Sequence, residues 1–254
     1  GLAAVELARA SDVYVEPSLD LKQARITELS ARISADLEEN TRAASLYRRA
    51  ADLYLKVDEV AEAGAAWGAY ARLVASEDTI AAVRAYRRGI ELMEQVDEQR
   101  GVMVLRRQLP TAVQDTDGLD AGLYELGVAV ALNDTNETRA LTDSEFRETL
   151  AEWDFEFERL DLADTRARMY GTAERYDEAL TILGDIPERM YDHGAEQQGI
   201  SSRLLRAQLM FASDRVDDGL AQLEVIIAEL RTWGDRESTI IDMAGIGARA
   251  LVRA

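Results

Sequence analysis

The sequence predicts an all-α fold, an α-solenoid built from antiparallel helix pairs, and two observations carry that prediction. Small residues fall at nearly constant spacing, at Ala51, Gly89, Gly127, Ala167, Ala207 and Gly247, with intervals of 38, 38, 40, 40 and 40. Each sits at the same place in a recurring pattern of amphipathic helix, short polar turn and second amphipathic helix. A period of that size marks stacked hairpins, none of which can bury its apolar face without its neighbours.

Taken in order, residues 1–39 are expected to form a first pair, with helices over about 2–11 and 19–38. The clearest hairpin runs from Asn40 to Ala75. Asn40 is read as an N-cap, its side-chain oxygen accepting from a first-turn amide. Ala43, Ala44, Tyr47, Ala50, Ala51 and Tyr54 then make one apolar face at helical spacing. Lys56-Val57-Asp58-Glu59 forms the turn, and Val60, Ala63, Gly64, Trp67 and Tyr70 line the second helix. The next pair follows the capping cluster Ser76-Glu77-Asp78. Its first helix spans about 79–95 and its turn is near Val96-Asp97-Glu98. Its second helix is expected to end or kink at Pro110, which lacks an amide donor.

The third pair begins near Leu119, with an expected turn at Asn133-Asp134-Thr135-Asn136. A helix restarts at Thr142, where Thr142-Asp143-Ser144-Glu145 fits a capping box. Phe146, Leu150, Trp153, Phe157 and Leu160 then read as one core stripe. The last two full pairs align best: Glu174-Arg175-Tyr176-Asp177-Glu178-Ala179-Leu180 matches Asp214-Arg215-Val216-Asp217-Asp218-Gly219-Leu220 at an offset of 40. Pro187 is expected to interrupt its helix. A lone helix over about 236–252, carrying Gly247, reads as the closing cap of an open-ended array. The chain is therefore read as one domain over 1–254: an N-terminal pair over 1–39, about five repeats over 40–235 and a capping helix over 236–254.

Composition narrows the function classes. With 47% apolar and 30% charged residues the chain has the balance of a folded, soluble protein. Having no cysteine, it has no disulfide, thiol nucleophile or thiolate metal site. The net charge of −19 repels a phosphate backbone, so nucleic acid is not an expected partner. The same charge keeps a long surface soluble and favours basic partners. No apolar run nears the roughly 18–20 residues that span a bilayer. A cytoplasmic location is expected, with no membrane partner. The start at Gly1 rather than Met suggests an upstream segment and a larger protein.

A small residue in the first helix, an aromatic three residues on, a polar turn and an aromatic and Ala start to the second helix resemble the tetratricopeptide repeat. Ala51, Tyr54, Ala63 and Trp67 carry the resemblance, as do Ala167, Tyr170, Tyr176 and Ala179. It covers roughly residues 40–254. The first-helix signature of that family survives only as Leu123-x-x-Leu126-Gly127, and its proline after the second helix is missing.

The resemblance implies a right-handed superhelix that binds a peptide or partner helix on the surface lined by its first helices. One subgroup clamps a C-terminal carboxylate; here the matching places hold Arg48 and Asp52, and the Asp would repel that ligand. Counted around each first helix, Arg48, Asp52 and Lys56 face the groove first. Tyr86, Ile90 and Met93 follow, then Tyr124 and Val128, then Asp164 with Arg168 and Leu204 with Gln208. The apolar middle, Tyr86, Ile90, Met93, Tyr124 and Val128, suits an amphipathic helix or extended peptide. The bland alternative is that these residues pack on a neighbouring helix.

Catalysis is not expected. His193 is the only histidine, and it lies where a helix ends before Gly194, a place the helix dipole favours. No nucleophile–base pair, zinc site, phosphate loop or other cofactor site appears. Paired acids such as Asp177 with Glu178 lie at helix starts, where they stay solvated. The expected function is a non-catalytic scaffold or adaptor; the alternative is a sensor module of a larger signalling protein. Dimerisation through the apolar ends of the array is left open.

Overall fold

The computed structural model describes residues 19–232. The helix expected over 2–11 and the closing helix with Gly247 lie outside the described residues. The described residues form helices joined by short turns, with no strand among them. In chain order these are α1 (Leu19–Asp36), α2 (Asn40–Lys56), α3 (Val60–Val74), α4 (Thr79–Gln95), α5 (Gln99–Asp117) and α6 (Leu119–Thr142). Then come α7 (Ser144–Thr149), α8 (Phe155–Thr172), α9 (Tyr176–Leu183), α10 (Ile186–Asp192), α11 (Glu196–Ala212) and α12 (Val216–Thr232). Two compact units are formed, the first ending at Gln108 and the second beginning at Leu109.

One turn recurs in both units. Glu38, Asp58, Asp97, Glu174 and Asp214 have φ between 55° and 61°, and Gly194 has φ 72°. In each case the next amide reaches back five residues. Glu39 donates to the Ser34 carbonyl at 2.8 Å, Glu59 to Tyr54 at 3.0 Å and Glu98 to Met93 at 2.9 Å. Arg175 donates to Tyr170 at 2.9 Å, Ala195 to Met190 at 2.9 Å and Arg215 to Met210 at 2.8 Å. This is the Schellman closure of a helix end. A left-handed conformation costs an L-residue about 1–2 kcal/mol, a cost that glycine avoids. The acidic residues are offset by position: each charge lies just ahead of the next helix, whose N-terminal dipole favours it.

The turn also fixes what the preceding helix buries. Seven residues before the left-handed position stands an alanine of 0% exposure at Ala31, Ala51, Ala167 and Ala207. These alanines are where the paired helices come together. The turn also corrects the expected cap. Asn40 is the first helical residue and Glu39 the cap; its carboxylate accepts from Arg42 at 3.0 Å but from no backbone amide of the first turn. Its ψ of 59° is set by the tight turn and is not extended, unlike the Asp143 and Asp154 caps. Asp78 caps α4 as expected, accepting from the Ala81 amide at 2.9 Å.

In the first unit α2 packs against α1 and α3, and α3 against α4. The buried set of α2 (Ala43, Ala44, Tyr47, Ala50, Ala51, Tyr54) recurs in α4 as Ala82, Val83, Tyr86, Gly89, Ile90 and Met93. Every step is 39 residues, the same as from Asp58 to Asp97. Gly89 therefore occupies the place of Ala50, one position off the predicted spacing of 38. There α3 and α4 meet backbone to backbone. A Cβ at Gly89 would lie 2.8 Å from the Gly64 carbonyl, and one at Gly64 2.9 Å from that of Gly89.

The second unit departs more from expectation. α5 continues past Pro110 to Asp117, with Leu109, Ala112 and Val113 buried around the proline. The polar stretch from Asn133 to Asn136 is not a turn: α6 runs through it for 24 residues. Asn133 and Asn136 are buried, and the Asn133 amide donates to the Phe155 carbonyl at 3.1 Å. That bond replaces the solvent the polarity seemed to require. The helix then restarts one residue later than expected, with Asp143 accepting from the Phe146 amide at 3.0 Å.

The stripe from Phe146 to Leu160 is divided, because Asp154 caps a new helix by accepting from the Phe157 amide at 2.8 Å. Phe146 and Leu150 pack with Ala140, while Phe157 and Leu160 pack with Ile186 and Met190. Beyond it, Gly184 and Pro187 interrupt the second helix as expected, separating α9 from α10. The turns at Glu174 and Asp214 repeat each other, each with an arginine paired to the acid three residues on: Arg175 with Glu178, and Arg215 with Asp218.

Two glycines predicted to be equivalent respond oppositely. Gly89→Ala meets a backbone oxygen, and overpacking of about 1–3 kcal/mol outweighs a helix-propensity gain of about 1 kcal/mol. Gly127 is exposed, and a methyl group added there would meet nothing within 4 Å, so Gly127→Ala gains up to about 1 kcal/mol. Urea denaturation of the two variants is expected to shift the midpoint down for the first and up for the second.

Candidate functional site

The residues predicted to line a groove are placed in two different ways. Tyr86, Ile90 and Met93 are core residues of α4, at 4%, 3% and 4% exposure. Met93 fills the space at Gly64 and Gly101, where its side chain would collide with any added Cβ. Burial pushes the Tyr86 phenol above its usual range, with Arg72 opposing. Tyr124 is 74% exposed and Val128 half-buried, both on α6 in the second unit. The structure thus does not bring the five onto one surface.

The reason is the 39-residue register of the first unit. On a helix one residue is a rotation of about 100°, enough to turn a core position into a surface one. With the 39-residue step, Ser45, Arg48, Arg49 and Asp52 on α2 match Arg84, Arg87, Arg88 and Glu91 on α4. All eight are exposed. From Asp78 to Gly118, the caps of α4 and α6, the step is 40. It places Tyr124, Gly127 and Val128 at the same positions of α6. The open face of the first helices is therefore arginine-rich in the first unit, where an apolar row was expected. The small-residue spacing passes over Arg49, Arg84, Arg87 and Arg88. Aligning Asp58 with Asp97, instead of Ala51 with Gly89, would have found them.

Beside this face, α2 and α3 enclose a cleft of about 240 Å³. Thr41, Ser45 and Arg48 contribute from α2, and Tyr70, Leu73 and Val74 from α3. Tyr70 is held edge-on by Trp67, with ring centroids 5.7 Å apart. The α2 side of the cleft is mainly polar and the α3 side mainly apolar, and Asn40 and the acidic Glu77 complete the lining. Many helical Ser and Thr side chains here bond back to their own helix, as Thr27 does to Gln23 and Ser30 to Ile26. Thr41 and Ser45 make no such bond, so their hydroxyls can meet a ligand.

The remaining predicted positions serve the fold. Asp164 is buried and accepts from Ser202 at 2.6 Å and from Arg168 at 2.7 Å, joining α8 to α11. Arg168 also reaches the Ser201 hydroxyl at 3.2 Å. His193 ends α10 with Gly194 in the left-handed region, as expected, and its Nδ1 lies 3.0 Å from Asp154. Burial alone would raise the Asp154 carboxyl; the Phe157 amide and the His193 ring hold it below the usual range. An open acidic depression around Trp153 and Phe155 is rimmed by Glu137, Asp154 and Glu156. Those acids are engaged by Arg159, His193 and Arg189. Among the described residues, no group of three or more His, Asp or Glu is placed to hold a metal ion. No helix among them is long and apolar enough to cross a membrane.

The core position of Tyr86 has a pH consequence. Its pKa is raised on folding, so its contribution is complete below the unfolded value of about 10 and is lost as the pH rises above that. Tyr86→Phe is expected to flatten the loss of urea stability as the pH rises above about 10, relative to the wild type.

No family model matches the sequence, and no curated protein matches it in sequence. Among solved structures, the chain is similar to the nearly identical TPR-like repeats of a putative kinesin light chain from Podosopora anserina. The TM-score is 0.58 at 16% identity, over 85% of this chain and 98% of that one. The apo form of RapI is similar at TM-score 0.59 and 10% identity, over 100% and 92%. So is a signal transduction ATPase with numerous domains and a tetratricopeptide repeat sensor from Pyrococcus horikoshii. Its TM-score is 0.58 at 10% identity, and this chain spans 39% of its length. The fold is that of the TPR-like helical repeat proteins.

Proposed function

We propose that the protein is a non-catalytic interaction module that binds a protein segment on the exposed face of its first helices. The observation carrying this reading is the cleft between α2 and α3, where Thr41, Ser45 and Arg48 face an apolar wall. A site of that kind takes an extended or helical segment with one apolar anchor and polar neighbours. In the second unit Tyr124, exposed at the matching position of α6, offers an apolar contact of its own. An adaptor role follows if the segment is the whole output. A sensor role follows if binding is passed to another domain, and the similarity to a protein with a tetratricopeptide repeat sensor favours keeping that reading. Homodimerisation is a second reading, favoured by an exposed apolar row formed by Ile26, Leu29 and Ile33 on α1 and by Leu37 just beyond it.

Site-specific photo-cross-linking tests the proposal. Benzoylphenylalanine replaces Arg48, Tyr124 or, as a control on a second helix, the exposed Glu224. The proposal expects discrete protein adducts from the Arg48 and Tyr124 positions and none from Glu224. Equal adducts at all three, or none at any, would contradict it.

A further inference from the structure

The net charge of −19 conceals an uneven distribution. Residues 19–108 hold 14 basic against 15 acidic side chains, whereas residues 109–232 hold 11 against 27. The arginines are also used differently. In the second unit Arg159, Arg168, Arg175, Arg189, Arg203, Arg206 and Arg215 each pair with a carboxylate. In the first unit Arg48, Arg49 and Arg84 are exposed, and none of them makes an ion pair or hydrogen bond among the described residues. Arg88 has an exposed contact to Glu91, at 3.3 Å within its own helix. Arg42 and Arg106 also pair in the first unit, with Glu39 and Glu94; Arg48, Arg49 and Arg84 carry charge on this face that no ion pair among the described residues uses.

Resting on the interaction reading above, we propose that this face docks an acidic segment of a partner protein. Its carboxylates meet Arg48, Arg49 and Arg84, and one apolar side chain enters the cleft against Tyr70, Leu73 and Val74. Two features favour a peptide over nucleic acid. Asp52 and Glu91 recur one turn beyond the arginines on both helices and interrupt a phosphate-tracking stripe. The arginine rows carry no exposed aromatic ring on which a base could stack. An acidic segment of mixed character can place its own neutral or basic residues against those acids, whereas a uniform polyanion cannot. The arginine fork suits bidentate carboxylate recognition.

The test is fluorescence anisotropy on the full chain with labelled peptides of equal length: a Glu/Asp-rich peptide with one central Leu, its Gln/Asn counterpart and a Lys-rich counterpart. A single-stranded oligothymidine completes the set. The acidic peptide is expected to bind about tenfold tighter than the neutral one and to weaken steeply with salt. The Arg48→Glu, Arg84→Glu double variant is expected to lose about tenfold in affinity. Arg231→Glu, which changes charge on the exposed surface of α12, is expected to stay within about twofold. Circular dichroism confirms that the variants fold. Equal binding of acidic and neutral peptides, equal loss in the Arg231 variant, or tighter binding of the Lys-rich peptide or the oligothymidine would overturn the proposal. If acidic and neutral peptides bind alike while adducts still form at Arg48, the interaction reading stands and its acidic chemistry falls. Loss of both results removes both.

Discussion

The left-handed turn with its five-residue backward hydrogen bond is the constraint on which each helix pair depends. It fixes where one helix stops and the next starts, and so fixes which residues face each other across the pair. Because Glu38, Asp58, Asp97, Glu174 and Asp214 share nearly one φ value, the residue seven places earlier always comes to the same contact. Alanine at four of those contacts permits close approach without a cavity. Where the chain needs still closer approach, Gly64 and Gly89 allow two backbones to touch. The acidic side chain at the turn is tolerated because the next helix begins beside it.

The fold class was readable in the sequence because its signals are local and repeated. Asp78 was recognisable as a cap, 79–95 as a helix, and the Glu174 and Asp214 turns as copies of each other. Register was harder. Small residues are frequent in this chain, and a spacing of 38 fitted Gly89 as well as 39 fitted Ile90. Only the turn, through its geometry, distinguishes them. Asn133 and Asn136 misled for a related reason: polarity is evidence of a turn only when no partner awaits in the interior. The Phe155 carbonyl, 22 residues away, is a partner that no local pattern announces.

That one-residue difference governs the functional reading. Tyr86, Ile90 and Met93 become core, and Arg84, Arg87 and Arg88 become surface. An expected apolar groove lining in the first unit is replaced by arginines beside a half-apolar cleft. In the second unit the polar resources are turned inward: Asp164 and Ser202 join two helices, and Asp154 both caps α8 and holds His193. Buried polar groups of this kind are costly unless satisfied, so they specify packing and leave little chemistry for a ligand. The same residue types thus serve packing in one unit and remain available in the other.

The register of α4 is the central claim, and the absence of native cysteine makes it directly measurable. Single cysteines would be introduced at positions 84, 86, 87, 88, 90 and 93, and their thiol-labelling rates compared under native conditions with those in urea. The account predicts rapid native labelling at positions 84, 87 and 88 and strong protection at 86, 90 and 93. Rapid labelling at 86 and 90 with protection at 87 and 88 would contradict it and restore the apolar groove.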